Sequence, residues 1–259
     1  MVKMNNRSYI STLFSVIILL FLSSCSKEVK KEDMTLSELS QNAVAALENK
    51  KRDKAIEYLE AIMYRFPDHP QIAQYKILLA EQYFKSGRYA ESQELYDHYN
   101  QFYPSDQRSE YAKYKSILAM YNQTLRNDCD STETERTILL CHEYLQNTTY
   151  ARYQKDVFDI QNTCENKLID KEIYVFNFYL KRGEVAASRN RLTFLKEKYA
   201  EKHPELMPRL LYLECKLAKR EKNETVIVKN LDLLKQKYPT SQYTTMAKGL
   251  AIRKDYFFF

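Results

Sequence analysis

The chain has 259 residues, a formal net charge of +6, 44% hydrophobic residues, three glycines and six prolines. So few turn-forming residues argue against a many-stranded sheet, whereas the abundance of Lys, Glu, Leu, Ala and Gln favours helices. The small positive charge gives no reason to expect a nucleic-acid partner. Composition therefore predicts a helical protein of one elongated domain or two compact ones.

The first predicted element is an export signal over residues 1–24. Lys3 and Arg7 precede the apolar run from Ile10 to Leu22, which is shorter than the roughly 20 residues that a membrane-spanning helix needs. The sequence Leu22-Ser23-Ser24-Cys25 resembles the lipobox of bacterial lipoproteins. This resemblance implies cleavage before Cys25 and covalent lipid on that residue. An ordinary signal peptide with an incidental cysteine is the alternative.

A short tether is predicted over residues 25–35, because residues 26–34 are charged and lack an apolar period. Thr35 and Glu38 then match the capping-box pattern, in which two side chains bond the free amides of a helix start. We expect folded structure to begin there. The N-terminal repeats are expected over residues 36–147, and the C-terminal repeats with a closing helix over residues 148–259.

Two segments of the chain resemble each other, which indicates an internal repeat. Residues 83–92 (YFKSGRYAES) match residues 179–188 (YLKRGEVAAS) at five of ten positions, including Gly87 and Gly183. Glycine takes a positive φ without steric cost where one helix ends and a tight turn begins the next. These features resemble the tetratricopeptide repeat, a helix–turn–helix unit of about 34 residues. The resemblance implies an all-α, right-handed superhelical solenoid of about five such repeats.

The expected repeats differ in how well they match this pattern. The third is stretched by a polar insert over residues 126–131, and the fifth has Lys222 at the glycine position. The expected elements are, in chain order, repeat one over 36–68, repeat two over 73–104, repeat three from about 110, a long helix over about 151–181, repeat four with Gly183, repeat five from about 208, and a closing helix over 243–257.

The cysteines and histidines form no recognisable catalytic pattern. An oxidising periplasm would permit a Cys129–Cys141 disulfide, which spacing alone cannot establish, whereas Cys164 and Cys215 fall at apolar helical positions and are expected in the core. The sequence has no Gly-rich phosphate loop, GxSxG motif or metal-ligand spacing. We therefore expect no enzymatic activity, no metal, and no cofactor apart from the lipid on Cys25.

A peptide-binding groove is the expected functional site, since stacked repeats leave a long concave surface. The first helices of repeats one to three would direct apolar and aromatic side chains toward this groove, where they would suit an extended peptide. Packing of the same side chains between adjacent helices is the alternative. The candidate groove residues are Leu47, Ile77, Phe84, Tyr114, Leu118 and Tyr121.

The lipobox, tether and repeats together resemble the repeat lipoproteins of the outer-membrane β-barrel assembly machinery. The resemblance covers most of residues 36–250, while the insert and the closing segment depart from it. Its more specific portions are residues 83–89, 103–105, 110–112, 178–183 and 190–192.

This resemblance implies a non-enzymatic scaffold, lipid-anchored at the periplasmic face of the outer membrane. It implies binding of unfolded outer-membrane proteins by the N-terminal repeats, and of the barrel subunit's periplasmic domain by the C-terminal repeats, beside accessory lipoproteins. Arg191 is the candidate docking residue, because its guanidinium can bind a partner carboxylate in a bidentate way. The alternatives are a solvent-facing Arg191 and another repeat lipoprotein, such as a pilotin-like secretion or cell-envelope adaptor.

Overall fold

The computed structural model describes residues 30–124 and 130–251. The export signal, Cys25, Cys129 and residues 252–259 lie outside the described residues. Within the described ranges the chain forms eleven α-helices, two 3-10 turns (Lys31–Asp33 and Pro204–Leu206) and no strand, which confirms the all-α prediction. The helices are α1 (Leu36–Glu48), α2 (Arg52–Arg65), α3 (Ile72–Lys85), α4 (Tyr89–Phe102), α5 (Ser109–Gln123), α6 (Thr132–Gln146), α7 (Gln154–Arg182), α8 (Val185–Tyr199), α9 (Met207–Arg220), α10 (Glu224–Lys237) and α11 (Gln242–Ala251).

The capping box predicted at the start of α1 is present. The Glu38 amide donates to Thr35 Oγ1 at 3.3 Å, and Glu38 Oε2 accepts from the Thr35 amide at 2.7 Å. The residues just before it differ from the expected solvated tether. Met34 is buried, and Arg65 Nη1 donates to the carbonyls of Lys31 and Met34 at 2.8 and 2.6 Å. The end of this segment therefore packs on α2, because one guanidinium satisfies two of its carbonyls.

The chain divides into two compact units after Gly87. In the first unit α1 packs on α2, and α2 packs on α3. Its core contains Leu39, Leu59 and Ile62, each fully buried. Because these side chains recur on one face of each helix, the helices stabilise one another through apolar burial.

In the second unit, from α4 onward, each helix packs chiefly on the helices next to it in sequence. The contacts link α4 to α5, α5 to α6, α6 to α7, α7 to α8, α8 to α9 and α9 to α10, and α11 covers α9 and α10. Such neighbour-to-neighbour packing is the property that defines repeat proteins. The predicted long helix is confirmed as the 29-residue α7. A closing helix was expected over residues 243–257, and α11 occupies the part of that range that the structure describes.

Two clusters of different chemistry hold the second unit together. The first is an aliphatic core, called here the leucine core, and the second is a set of contacting rings, called here the tyrosine seam. The leucine core lies between α7, α8 and α9 and consists of Leu168, Ile169, Ile173, Phe176, Leu180, Leu192, Leu195, Tyr199, Leu206, Leu210, Leu213 and Leu217. The tyrosine seam joins α4, α5, α6 and the loop before α7 and consists of Tyr96, Tyr111, Tyr114, Tyr144, Tyr150 and Tyr153.

Four of the turns that follow helices use a residue in the left-handed region. Gly87 and Gly183 have φ of 79° and 81°, as expected from the repeat pattern. Lys50 and Lys222 adopt the same conformation, with φ of 57° and 56°. Tertiary packing thus imposes on two lysines a conformation that glycine adopts without strain.

The cysteines that the structure describes are all buried. Cys164 and Cys215 lie in the core, as predicted, and Cys141 is also buried with a free thiol. Burial raises the pKa of Cys141 to about 12. None of the helices in the two described segments combines the length and apolarity needed to cross a membrane.

Candidate partner-binding site

In the first unit the candidate groove residues lie on α1 and α3. Leu47, in the last turn of α1, and Phe84, in the last turn of α3, are half-buried. Ile77 is only 8% exposed and belongs mainly to the core. A peptide bound to this unit would therefore meet Leu47 and Phe84 more readily than Ile77.

In the second unit the candidate groove residues share one face of α5. Tyr114, Leu118 and Tyr121 follow one another at helical spacing and pack against a buried cluster formed by α5, α6 and α7. The ring of Tyr114 stacks on that of Tyr153 at 4.3 Å, and Lys167 Nζ lies 5.0 Å from the centre of the Tyr121 ring. All three side chains stay partly exposed. These side chains therefore pack within the second unit and leave part of their surface, including part of the two tyrosines, exposed to solvent.

Arg191 lies on α8 and forms an ion pair with α7. Its Nη1 donates to Glu172 Oε2 at 3.2 Å, and its side chain is 42% exposed, against 18% for Glu172. The guanidinium is thus held by a less exposed carboxylate while much of its surface faces solvent. A partner carboxylate would either share this arginine with Glu172 or replace it.

Further ion pairs lie on the surface formed by α8, α9 and α10. Arg189 Nη2 lies 2.5 Å from Glu221 Oε1, and Lys196 pairs with Glu214. Asn230 Nδ2 donates to the other oxygen of Glu214 at 2.7 Å. These groups surround a cavity of about 350 Å³ between the three helices. Exposed ion pairs contribute little to stability, so they can be exchanged for contacts with a partner at small cost.

His203 lies at the centre of a further polar cluster, which the sequence did not reveal. Its Nε2 lies 2.7 Å from Glu165 Oε2, and its Nδ1 lies 3.0 Å from Glu205 Oε1. Both ring nitrogens donate to carboxylates only in the protonated imidazolium form. The cluster joins α7 to the 3-10 turn before α9. This position indicates a structural role, and no group of ligands in residues 30–124 and 130–251 is suited to a metal ion.

Three basic residues of α9 that the sequence did not single out face one cleft. Lys216, Lys219 and Arg220 line it together with Lys181 of α7. Their spacing of i, i+3 and i+4 is the signal that identifies a shared helix face. The sequence KLAKR therefore contained the information, but the helix packing that surrounds these cations was needed to recognise it.

Comparison with known proteins places the chain among lipoproteins of the outer membrane. The family model YfiO, described as outer membrane lipoprotein, matches residues 32–224. The outer membrane protein assembly factor BamD of Caulobacter vibrioides is 21% identical over 229 residues, covering 84% of this chain and 74% of that protein. The protein of the same name from Pasteurella multocida is 24% identical over 190 residues, covering 70% and 73%.

Two solved structures are also similar to the chain. The crystal structure of PilW, a widely conserved type IV pilus biogenesis factor, has a TM-score of 0.32 and 15% identity, covering 95% of this chain and 100% of that one. A tetratricopeptide repeat protein from Parabacteroides merdae has a TM-score of 0.29 and 14% identity, covering 83% and 84%. Because the family model extends from the 3-10 turn before α1 to the first residue of α10, this chain belongs to the YfiO family of outer membrane lipoproteins.

Proposed function

We propose that this protein is a non-enzymatic scaffold of the outer-membrane β-barrel assembly complex. The observation that carries the proposal is the match of the family model to residues 32–224. The two relatives named as assembly factors, aligned over 84% and 70% of this chain, support it. The scaffold brings unfolded barrel proteins together with the periplasmic domain of the barrel subunit.

Attachment through Cys25 holds the scaffold at the periplasmic face of the outer membrane. Two or three acyl chains anchor a protein firmly, whereas a single chain gives marginal binding. Cys25→Ser, made together with replacement of residues 1–24 by an ordinary cleavable export signal, should therefore release the protein into the soluble periplasmic fraction. Two results together would contradict lipid anchoring. The variant would remain associated with the membrane, and the unaltered chain would not be labelled by radioactive palmitate.

Binding of unfolded barrel proteins is assigned to the apolar and aromatic side chains of the N-terminal repeats. Leu47 and Phe84 are half-buried, as are Tyr114, Leu118 and Tyr121 on α5. A photo-crosslinking amino acid at Leu47 or Phe84 should capture an unfolded barrel protein. The control position is Tyr64, which is 88% exposed on α2 of the same unit. Equal crosslinking at all three positions would contradict a specific groove.

Docking of the barrel subunit is assigned to Arg191. Its exposed guanidinium and its single ion pair with Glu172 support this role. Arg191→Ala should abolish recovery of the barrel subunit when the lipidated protein is pulled down from membranes. Arg191→Lys should restore little, because an ammonium group cannot form the bidentate pair. Arg189→Ala is the matched control, since Arg189 also lies on α8 in an exposed ion pair.

The same pull-down separates this function from that of another adaptor. Recovery of the barrel subunit with the unaltered protein supports the proposal, and its reproducible absence counts against it. Recovery of secretion or pilus components instead would select the alternative adaptor role. Loss of the barrel subunit with Arg189→Ala as well as Arg191→Ala would remove the specific assignment to Arg191.

A further inference from the structure

A cleft lined by cations opens between the C-terminal end of α7, α9 and α11. Its volume is about 680 Å³, within the range of sites that bind small ligands or peptide side chains. Lys181, Lys216, Lys219 and Arg220 line it, with Leu180 and Leu250 as its apolar floor. No carboxylate is among the described residues that line this cleft. The cleft is therefore positively charged and amphipathic.

The charges of this cleft are not neutralised by the rest of the described chain. None of its four cations forms an ion pair with a carboxylate in residues 30–124 or 130–251. Lys216 Nζ instead donates to Asn177 Oδ1. The amide of Asn177 is itself oriented, because its Nδ2 donates to the Ile173 carbonyl at 2.8 Å. Lys219 Nζ donates to the Leu250 carbonyl at 3.0 Å and so joins α9 to α11.

The lack of a paired carboxylate has its clearest effect on the pKa of Lys216. Burial lowers the pKa of its ammonium group, because the charged form loses water without gaining a carboxylate. A carboxylate supplied by a bound molecule would favour the charged form of Lys216, because an opposite charge nearby stabilises an ammonium group.

The cleft continues into a second cavity on the far side of Lys219. This cavity has a volume of about 560 Å³ and shares Lys219 and Leu250 with the first. It adds one cation, Lys222, one carboxylate, Glu224, and the apolar side chains of Ile227 and Val228, of which Val228 is 55% exposed. The combined surface contains five cations, one carboxylate and several aliphatic side chains, so it remains positively charged. Two adjoining cavities suit an extended chain better than a single small anion.

We propose that this cleft binds an extended acidic peptide segment in which carboxylate and aliphatic side chains alternate. The carboxylates face Lys181, Lys216, Lys219 and Arg220, and the aliphatic side chains contact Leu180 and Leu250. Complementary charge accelerates association and selects against basic segments. The site is separate from the assignment of Arg191, which is not among the residues that line either cavity.

Charge reversal at two matched pairs of cations tests the proposal. Lys219 and Arg220 occupy the last turn of α9, and Lys235 and Lys237 occupy the last turn of α10. Each double substitution to Glu changes the net charge equally and removes the same favourable interaction with a helix C-terminus. The control pair does not line the cleft. The full-length, detergent-purified protein and both double variants are compared.

The probe is a fluorescein-labelled octapeptide of alternating Leu and Glu, measured by fluorescence anisotropy at two salt concentrations. Its counterpart of alternating Leu and Gln has nearly the same shape without charge. We expect the acidic peptide to bind and to weaken with salt, and the neutral peptide to bind at least tenfold more weakly. Lys219→Glu with Arg220→Glu should weaken acidic-peptide binding at least tenfold, and the control pair by less than twofold.

Several results would overturn the proposal. Equal binding of the two peptides would show that charge is not recognised. Equal loss in both double variants would show a general charge effect rather than a site. A third measurement uses vesicles containing anionic phosphatidylglycerol. If Lys219→Glu with Arg220→Glu weakens vesicle binding and leaves peptide binding unchanged, the cleft binds lipid headgroups and the peptide assignment is wrong.

Discussion

The leucine core and the tyrosine seam stabilise the same unit by different means. The leucine core consists almost wholly of aliphatic side chains, so its contribution depends on buried area and close packing. The tyrosine seam buries rings whose hydroxyl groups need polar partners. Tyr144 is fully buried, and its hydroxyl donates to Glu110 Oε1 at 2.7 Å. The first cluster is insensitive to protonation, whereas the second depends on an ionised carboxylate.

Glu110 is the polar centre of the tyrosine seam. Its Oε1 also accepts from the amides of Ala151 and Arg152 at 2.8 and 2.6 Å. One carboxylate of α5 therefore fixes the loop before α7 and the buried ring of α6. Burial on its own would raise the pKa of the Glu110 carboxyl, but these hydrogen bonds outweigh it and lower that pKa.

The largest expected effect is truncation within the leucine core. Phe176 is fully buried on α7, so Phe176→Ala should lower the free energy of unfolding by about 3–5 kcal/mol through lost burial and a cavity. Phe178→Ala is the control, because Phe178 lies two residues away and is 46% exposed. Urea unfolding followed by circular dichroism measures both variants. Similar losses in the two would contradict the assigned core.

Removal of the carboxylate at the centre of the tyrosine seam should have the next largest effect. Glu110→Ala leaves the Tyr144 hydroxyl and two amides without their acceptor, at an expected cost of about 2–3 kcal/mol. Glu143→Ala removes only an exposed ion pair with Lys113, so it should cost less than about 1 kcal/mol. Tyrosine fluorescence can report the unfolding, since the chain has 22 tyrosines and no tryptophan. Equal effects of the two substitutions would show that Glu110 is not central.

Acid should weaken the contribution of the tyrosine seam to the free energy of unfolding and leave that of the leucine core unchanged. A carboxyl whose folded pKa lies below its unfolded value stabilises the fold above the unfolded pKa. This contribution is lost as pH falls through the folded pKa, so the part due to Glu110 should decrease progressively below about pH 4.5. Asp106 adds to the effect, because hydrogen bonds from Arg108 lower its pKa to about 2.

The variant Glu110→Gln identifies the share of Glu110 in this acid response. Unfolding free energies measured between pH 6 and pH 3 should fall less steeply with acid in the variant than in the unaltered protein. Phe176→Ala should leave the slope unchanged, because it removes no ionisable group. An identical slope for Glu110→Gln and the unaltered protein would contradict the role given to this carboxylate.

The smallest expected effects concern the turns that follow α7 and α9. Gly183→Ala should destabilise the protein by about 1 kcal/mol, because alanine adopts a φ of 81° only with strain. An added Cβ meets nothing within 4 Å, so no steric clash increases this loss. Lys222→Gly should stabilise it by about 0.5–1 kcal/mol, since it relieves the same left-handed conformation. Thermal unfolding of both variants measures the difference. Destabilisation by Lys222→Gly would show that the Lys222 side chain contributes more than its backbone strain costs.

Much of the secondary structure was predictable because it depends on local signals. The Thr35–Glu38 capping box, the long helix α7 and the left-handed Gly183 are each determined by residues that are close in sequence. Lys222 was expected to depart from the turn pattern, yet it adopts the glycine-like conformation. Local propensity did not reveal this, because packing of α9 against α10 imposes the turn.

The site was less predictable, since it depends on which helix faces meet. The spacing of Tyr114, Leu118 and Tyr121 predicted a shared face of α5, and the structure places them on one. Spacing did not reveal that Tyr153 stacks on Tyr114, because the two residues are brought together by tertiary packing. Arg191 was recognised through resemblance alone, and its pairing with Glu172 required the structure.

By itself, the sequence determined the helical class, the repeat pattern and the helix ends, because capping, turn chemistry and apolar period act over a few residues. Only the tertiary structure decided where the chain divides into units, how Glu110 joins α5 to α6 and α7, and which cations share a cleft. These features require groups that are distant in sequence to meet at hydrogen-bonding or ion-pairing distance. Their physical cause is the burial and orientation of polar groups between helices, which no single segment specifies.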